Sequence, residues 1–510
     1  MIISLSVLVI TIIVSGTYAL YKAQLSKNIG VNTTTHGLAY YINYVKGTDI
    51  TAATLNPSTS YEGGASSDIE FWKKDDSYDI YGKIELTVNT IGTNLSNSPA
   101  LKYAVVNNGN VLKEGSLKGT TSGSKVTILK NLYLEQTKQI YTVYVWLDNS
   151  EELGNISNES LSISVDCTAS LQKEPTAADT IISLYTSAAK VTATNNSITY
   201  NTAPSVSLMN DRLGGTTTDL DGGNIRYYGA NPNNYIYFNC SDYSNQTSST
   251  CETWRIIGVF DGKLKLIKSE SIGAYSWDNK DTSTGAENDT GKNDWTTARL
   301  MKLLNPSNYY KVDSNDNNLG QSLYYNSASG KCYSGQNNAT VDCDFTSTGI
   351  KNAETRNMIA ETTYNLGGWN SNSVYSNQIY EYERGTTVYS GRPTTWKGKI
   401  ALAYPSDYGY AADLNQCKDK TLYDYDNRTC TSNNWMKAII TNNGSNTVWL
   451  LTPRSGSSSN AWYVNSGGFV SRDSIAYVAY GAVPVLSLSS ELGIESGGDG
   501  SSSKPYKLSA

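Results

Sequence analysis

Three groups of residues in this chain could do chemistry: a set of cysteines, scattered carboxylates, and a mixture of arginine, asparagine and aromatic side chains near the C-terminus. Cys240 and Cys251, and likewise Cys332 and Cys343, lie 11 residues apart, and Cys417 and Cys430 lie 13 apart. Each pair flanks a loop rich in Ser, Asn and Asp. Local pairing would staple three surface loops, each contributing about 2–4 kcal/mol, although spacing alone leaves the connectivity open. Metal binding is the competing reading, but there is no CxxC and no neighbouring histidine. Cys167 is left over at the end of a strand-like run, as a buried thiol or an intermolecular partner. The single histidine, His36, closes off most Ser-His-Asp, Cys-His and multi-histidine metal chemistry. A glycosidase needs two facing carboxylates. Asp407, Asp413, Glu381 and Glu383 are available, yet surface carboxylates are common and ordinary solvated roles suffice for them. Asp313–Gly320 is rich in oxygen ligands but lacks the spacing and closing glutamate of a calcium loop. No cofactor or metal is called for, and the chain does not read as an enzyme.

The third group is denser. Between Arg454 and Tyr480 stand Arg454, Ser457, Asn460, Trp462, Tyr463 and Asn465, followed by Phe469, Arg472, Asp473, Tyr477 and Tyr480. Few-rotamer aromatics supply area, Arg and Asn supply directed hydrogen bonds, and Ser and Gly permit close approach: this is the chemistry of a recognition surface. The same residues admit a plainer role. Trp462, Val464 and Val470 could face a core, as Trp449 should, and Arg472, Asp473 and Tyr477 could be solvated surface.

Whole-chain composition agrees with contact rather than catalysis. The 510 residues include 39 Tyr against 5 Phe, with 10 Trp, and Tyr suits half-wet strands and binding faces. Forty basic and 46 acidic residues leave a net charge of −6, which argues against a nucleic-acid partner. Residues 1–21 hold no charged side chain and form an apolar run, either a signal peptide, with small residues before a cleavage point after Ala19, or a short membrane anchor. Either way the remainder is expected outside the cytosol, at the cell surface or secreted.

The elements that must position these groups fall into two blocks. Residues 28–169 read as short strands: Tyr81–Val88, Leu101–Val106, Val111–Leu117, Ile140–Leu147 and Leu161–Val165. Asn107-Asn-Gly-Asn110 marks a hairpin, since Asn-Gly accepts positive φ. This predicts an antiparallel β-sandwich. Residues 170–206, with Pro175 and a helical candidate at Ala177–Ser187, read as a linker. Residues 207–510 hold eight of the ten tryptophans and predict an α+β domain. Its elements are a hairpin at Trp254–Lys268, a helix through Trp295, Ala298, Met301 and Leu304 capped by Asn293 or Asp294, and a helix at Glu354–Asn365. Late strands are expected at Lys399–Tyr404, Val448–Thr452, Ala461–Asn465 and Val483–Leu488.

Two resemblances follow from these residues. Val14-Ser-Gly-Thr-Tyr-Ala-Leu20 with Tyr141-Thr-Val-Tyr-Val-Trp-Leu-Asp148 resembles the camelysin/TasA-type matrix and fibre proteins of Gram-positive bacteria. That likeness implies an immunoglobulin- or jelly-roll-like sandwich attached to the cell envelope. Asp221-Gly-Gly-Asn-Ile-Arg-Tyr-Tyr-Gly229, Trp254-Arg-Ile-Ile-Gly258, Ala403-Tyr-Pro-Ser-Asp-Tyr-Gly-Tyr410, Trp449-Leu-Leu-Thr-Pro453 and Asn460-Ala-Trp-Tyr-Val-Asn465 are similar to the C-type-lectin-fold class. That class includes formylglycine-generating-enzyme-like domains and variable proteins diversified by retroelements. Formylglycine-type oxidation would need reactive cysteines, whereas these look paired. In such relatives Ser471–Ser474 and Ala476-Tyr477 fall where runs of Asn occur, and adenine-targeted mutagenesis of Asn codons would yield this mixture. The resemblances imply an exported, disulfide-containing adhesion protein that binds a protein or glycan ligand through Arg454–Tyr480. The alternative is a structural fibre subunit forming homo-oligomers through its N-terminal sandwich.

Overall fold

The computed structural model describes residues 23–24, 41–51, 55–151, 153–156, 158–216, 222–279, 290–311, 319–335, 339–441 and 447–509. The expected signal or anchor at 1–21, His36 and most of the Asp313–Gly320 loop lie outside them. The protein is mainly β, built from several predominantly antiparallel sheets, and divides into two compact units, Met1–Glu174 and Pro175–Ala510.

The first unit is sandwich-like. One sheet runs Ala23–Gln24, Leu161–Ser170, Tyr81–Ile91, Lys125–Tyr133. The other runs Ile42–Val45, Ala65–Lys73, Ile140–Asp148, Leu101–Asn107, Asn110–Ser116. Alternation dictates the packing: Ile84, Leu86 and Val88 from the first sheet meet Ile69, Phe71, Val143 and Val145 from the second in one buried core. The hairpin forms where Asn-Gly predicted it, with Asn108 and Gly109 at φ 50° and 76°. Cys167 is a buried free thiol, and burial pushes it well above the usual thiol range.

The second unit begins earlier than the sequence suggested, which corrects the linker expected at 170–206. Ala177–Ser187 is a helix whose Thr176 and Asp179 form a reciprocal N-terminal cap. Ile181 and Tyr185, one turn apart, enter the unit's core. Val191–Asn195 and Ile198–Ala203 follow as a hairpin through Asn196 and Ser197, both at positive φ. They extend a nine-stranded sheet whose middle is Glu252–Phe260 paired with Lys263–Lys268. A separate five-stranded sheet runs Ala274–Ser276, Ala479–Gly481, Thr447–Pro453, Asn460–Asn465, Val470–Ile475. Two expected helices are shorter than predicted. Arg299–Leu304 starts only after Ala298, because Trp295–Thr297 form a turn held by Asp294. Asn352 caps Ala353–Met358, and the β-branched Thr362 and Thr363 then start a strand at Thr362–Asn365.

The three disulfides join Cys240 to Cys251, Cys332 to Cys343 and Cys417 to Cys430. They are compatible with an oxidising compartment. Among the described residues no helix is long and apolar enough to cross a membrane.

Candidate functional site

The five-stranded sheet positions the Arg454–Tyr480 residues. Its register sets Tyr463 opposite both Trp449 and Ser471. Alternation along Asn460–Asn465 therefore splits the segment: Trp462 and Val464 are buried on one face, while Tyr463 and Asn465 remain half-exposed on the other. On the Tyr463 side a row of rings forms. Trp449 and Tyr480 have centroids 4.6 Å apart, Tyr480 and Tyr463 5.5 Å, Tyr463 and Phe469 6.3 Å, and Phe469 and Tyr423 5.4 Å. Trp449 is buried, Tyr480, Tyr463 and Phe469 are half-buried, and Tyr423 is exposed. The row thus grades from core to solvent. Burial raises the Tyr463 hydroxyl, and the neighbouring Tyr480 and Asp473 push the same way.

Beside the row sits a compact charge cluster. Arg454 Nη1 and Arg472 Nη1 each lie 2.6 Å from a different oxygen of Asp473. Arg454 Nε donates to Asn370 Oδ1 at 2.7 Å. Asn372 Oδ1 accepts from the Ser471 hydroxyl and from the Arg472 backbone, both at 3.3 Å. The two asparagines come from a loop that also carries Trp369, stacked on Tyr382 at 3.7 Å.

The turn from Arg454 to Asn460 is held from behind. Asn293, fully buried, directs its Nδ2 at the carbonyls of Arg454, Ser457 and Asn460 at 3.1, 2.8 and 2.9 Å. Arg392 donates to Ser458 O at 2.9 Å and to Asn293 Oδ1 at 3.3 Å. Within the turn Ser457 Oγ accepts from the Asn460 backbone N–H and donates to Asn460 Oδ1. The opposite turn is closed by Asn465, whose Oδ1 accepts from Gly468 N and Phe469 N. Gly468, at φ 106°, has no room for a Cβ beside Thr431 and Tyr408.

The eleven residues singled out in the sequence therefore separate. Arg454, Arg472 and Asp473 meet directly, and Tyr463, Phe469 and Tyr480 form the ring row. Ser457, Asn460 and Asn465 shape the two turns. Tyr477 is held through its carbonyl by Ser276 Oγ at 2.7 Å, and no described contact joins its ring to either group. Trp462 requires a correction: it is fully buried in a core with Val464, Val470 and Trp435, because the period of two turns it to the opposite face from Tyr463. Asn293 also differs from expectation, bracing a distant loop rather than capping a helix. Asn370, Asn372, Arg392 and Tyr423 were not singled out. Each reaches the site across long sequence separations that no local pattern encodes.

A second charge cluster in this unit is entirely buried. Arg226 Nε lies 2.6 Å from Asp211 and its Nη1 3.1 Å from Asp407, whose other oxygen lies 2.5 Å from Lys265. Burial alone would raise Asp407, but Lys265 and Arg226 override it and hold the carboxyl below its usual range. Nearby, Glu383 accepts from Ser406 N at 3.0 Å and Ser406 Oγ at 2.5 Å. Burial pushes Glu383 up to about 7 against the pull of Arg384 and those donors. Two of the carboxylates considered for glycoside chemistry, Asp407 and Glu383, are thus sealed inside the protein. Among the described residues no group of His, Cys, Asp and Glu has the arrangement of a metal site.

No protein-family model matches the chain. No curated protein matches it either. Two crystal structures of HCR/D point mutants align at 13% and 11% identity over 51% and 52% of this chain and 76% of theirs. Their TM-scores, 0.14 and 0.15, are too low to carry information on fold or function.

Proposed function

We propose that this is an exported cell-surface binding protein. Its first unit, an immunoglobulin- or jelly-roll-like sandwich, presents a C-type-lectin-like second unit, and the Arg454–Tyr480 surface of that unit takes a protein or glycan ligand. The observation that carries the reading is the ring row from Trp449 to Tyr423 lying beside the Arg454–Asp473–Arg472 cluster. Rigid aromatic area next to directed charge, on turns locked by buried hydrogen bonds, is what low-entropy recognition requires. Three disulfides are compatible with the extracellular setting. Ser471–Tyr477, the stretch expected to be diversified, contributes Arg472 and Asp473 to the cluster. The test is to screen the labelled full chain against glycan and extracellular-protein arrays. A ligand whose binding falls at least tenfold in Tyr463→Ala supports the reading; binding that ignores Tyr463, Arg454 and Arg472 contradicts it.

A second reading, assembly through the sandwich unit, is favoured by one feature. Asn110–Ser116 is a sheet-edge strand with Val111 and Leu112 each 42% exposed, the kind of edge that recruits another strand. Oligomers of the full chain that disappear in Val111→Lys would support it.

A further inference from the structure

We infer that Arg454 and Arg472 form a receptor for the carboxylate of an acidic sugar, whose place Asp473 occupies in the free protein. This deepens the proposed function and rests on it. The two guanidiniums come from different strands or their ends and converge on one carboxylate, each taking a separate oxygen at 2.6 Å. Asn372 Nδ2 approaches the same carboxylate at 3.5 Å. Such a fork is the geometry that carboxylate recognition uses. The members differ in access: the side chain of Asp473 is 46% exposed, those of Arg454 and Arg472 24% and 17%. The carboxylate is therefore the outermost and most easily displaced member.

Arg454 is anchored independently of Asp473, whereas the Arg472 guanidinium is held by Asp473 and only its backbone is fixed from elsewhere. Asn370 holds Arg454 through Nε, and Asn372 holds the Arg472 backbone. Arg472 Nε is buried with no hydrogen-bond partner among the described residues. Two guanidiniums against one carboxylate leave a positive charge in excess. An ion pair whose carboxylate is nearly half exposed is only weakly stabilising, so exchanging Asp473 for a ligand carboxylate costs little.

Two features select a sugar over a peptide. The half-buried rings of Tyr463, Tyr480 and Phe469 form a continuous row on the same sheet and the turn beside it, and flat rings take the C–H faces of pyranoses. The outer strand Val470–Ile475 is poorly placed to add a peptide strand. The Arg472 N–H is already taken by Asn372 Oδ1, and Leu422–Asp424 pack against the same strand.

Binding of the full chain to hyaluronan tetrasaccharide and 3′-sialyllactose, compared with lactose and with a neutral pentapeptide bearing a free C-terminus, tests this. The acidic sugars should bind at least tenfold tighter than either control, and Arg454→Gln or Arg472→Gln should remove that preference. Asp473→Asn, which vacates the fork without removing a base, should tighten the acidic sugars about fivefold, with the circular dichroism spectrum unchanged. No binding of the acidic sugars, equal binding of lactose, equal binding of the peptide, or weakening by Asp473→Asn would each overturn the inference. A neutral glycan or protein bound through Tyr463 would still leave the proposed function standing. A surface that takes no ligand would remove both.

Discussion

The second unit contains the same chemistry twice, in opposite settings. Around Arg226, two carboxylates and a lysine are closed off from water: Arg226 and Asp407 are 1% exposed by side chain. The rings of Phe260 and Tyr410 lie 4.5 and 4.7 Å from the guanidinium. Around Asp473, two arginines hold one carboxylate that is nearly half exposed. Burial makes the first cluster expensive to break, since removing one partner strands a charge in a low-dielectric interior. Exposure makes the second inexpensive to rearrange. Identical pairs of residue types thus serve cohesion in one place and remain available for contact in the other.

The largest effect should come from the buried side. Asp407→Ala leaves Lys265 and part of Arg226 uncompensated, and chemical denaturation should show a loss of about 3–5 kcal/mol or failure to fold. Glu383 should set the next largest effect through pH. An unfolded glutamate releases its proton near its ordinary value of 4.5, whereas folded Glu383 keeps it up to about 7. The native state therefore binds the extra proton in that window. The resulting stability is complete below pH 4.5 and is lost as pH rises through 7. A shift of that size corresponds to roughly 3 kcal/mol as an upper figure. The slope of unfolding free energy between pH 4.5 and 7 should accordingly flatten in Glu383→Gln.

Between the two clusters stands Asn293, buried like the first and acting on the second. Asn293→Ala removes a donor from three carbonyls in the Arg454–Asn460 turn, of which those of Arg454 and Asn460 keep a backbone partner and that of Ser457 does not. It should cost about 1–3 kcal/mol and speed hydrogen exchange at residues 454–460 before the rest of the unit. Smallest of all, Asp473→Ala should change stability by less than about 1 kcal/mol. A loss from Asp473→Ala as large as that from Asp407→Ala would erase the distinction between the clusters.

Much of this was legible in the sequence where the determinant is local. The Asn107–Asn110 turn and the Trp254–Lys268 hairpin were readable because their turn conformations depend on the residues that occupy them. Ala177–Ser187 was readable as a helical candidate, yet its placement in the second unit was not, because the surface that receives Ile181 and Tyr185 is built later in the chain. The recognition segment was found as a composition, but composition does not choose a face. Register with Trp449 and Ser471 decides that Tyr463 falls on the half-buried face beside Trp449 and Trp462 on the fully buried one. The motifs carrying Arg226 and Asp407 were visible as words, while their joint role as one ion network needed strands and helices 181 residues apart to meet. Asn293, Arg392, Asn370 and Asn372 support the site from loops whose spacing relative to it has no periodic signature.

The most direct test of the central claim is a binding titration of the full-chain Arg454→Ala/Arg472→Ala variant against the best ligand from the array screen. The thermal midpoint would be read on the same sample. The account predicts that binding falls at least a hundredfold, about 2.7 kcal/mol, while the midpoint stays within about 4 °C of the parent. Unchanged binding would show that these arginines do not meet the ligand, and a midpoint that collapses along with lost binding would show that they hold the fold instead.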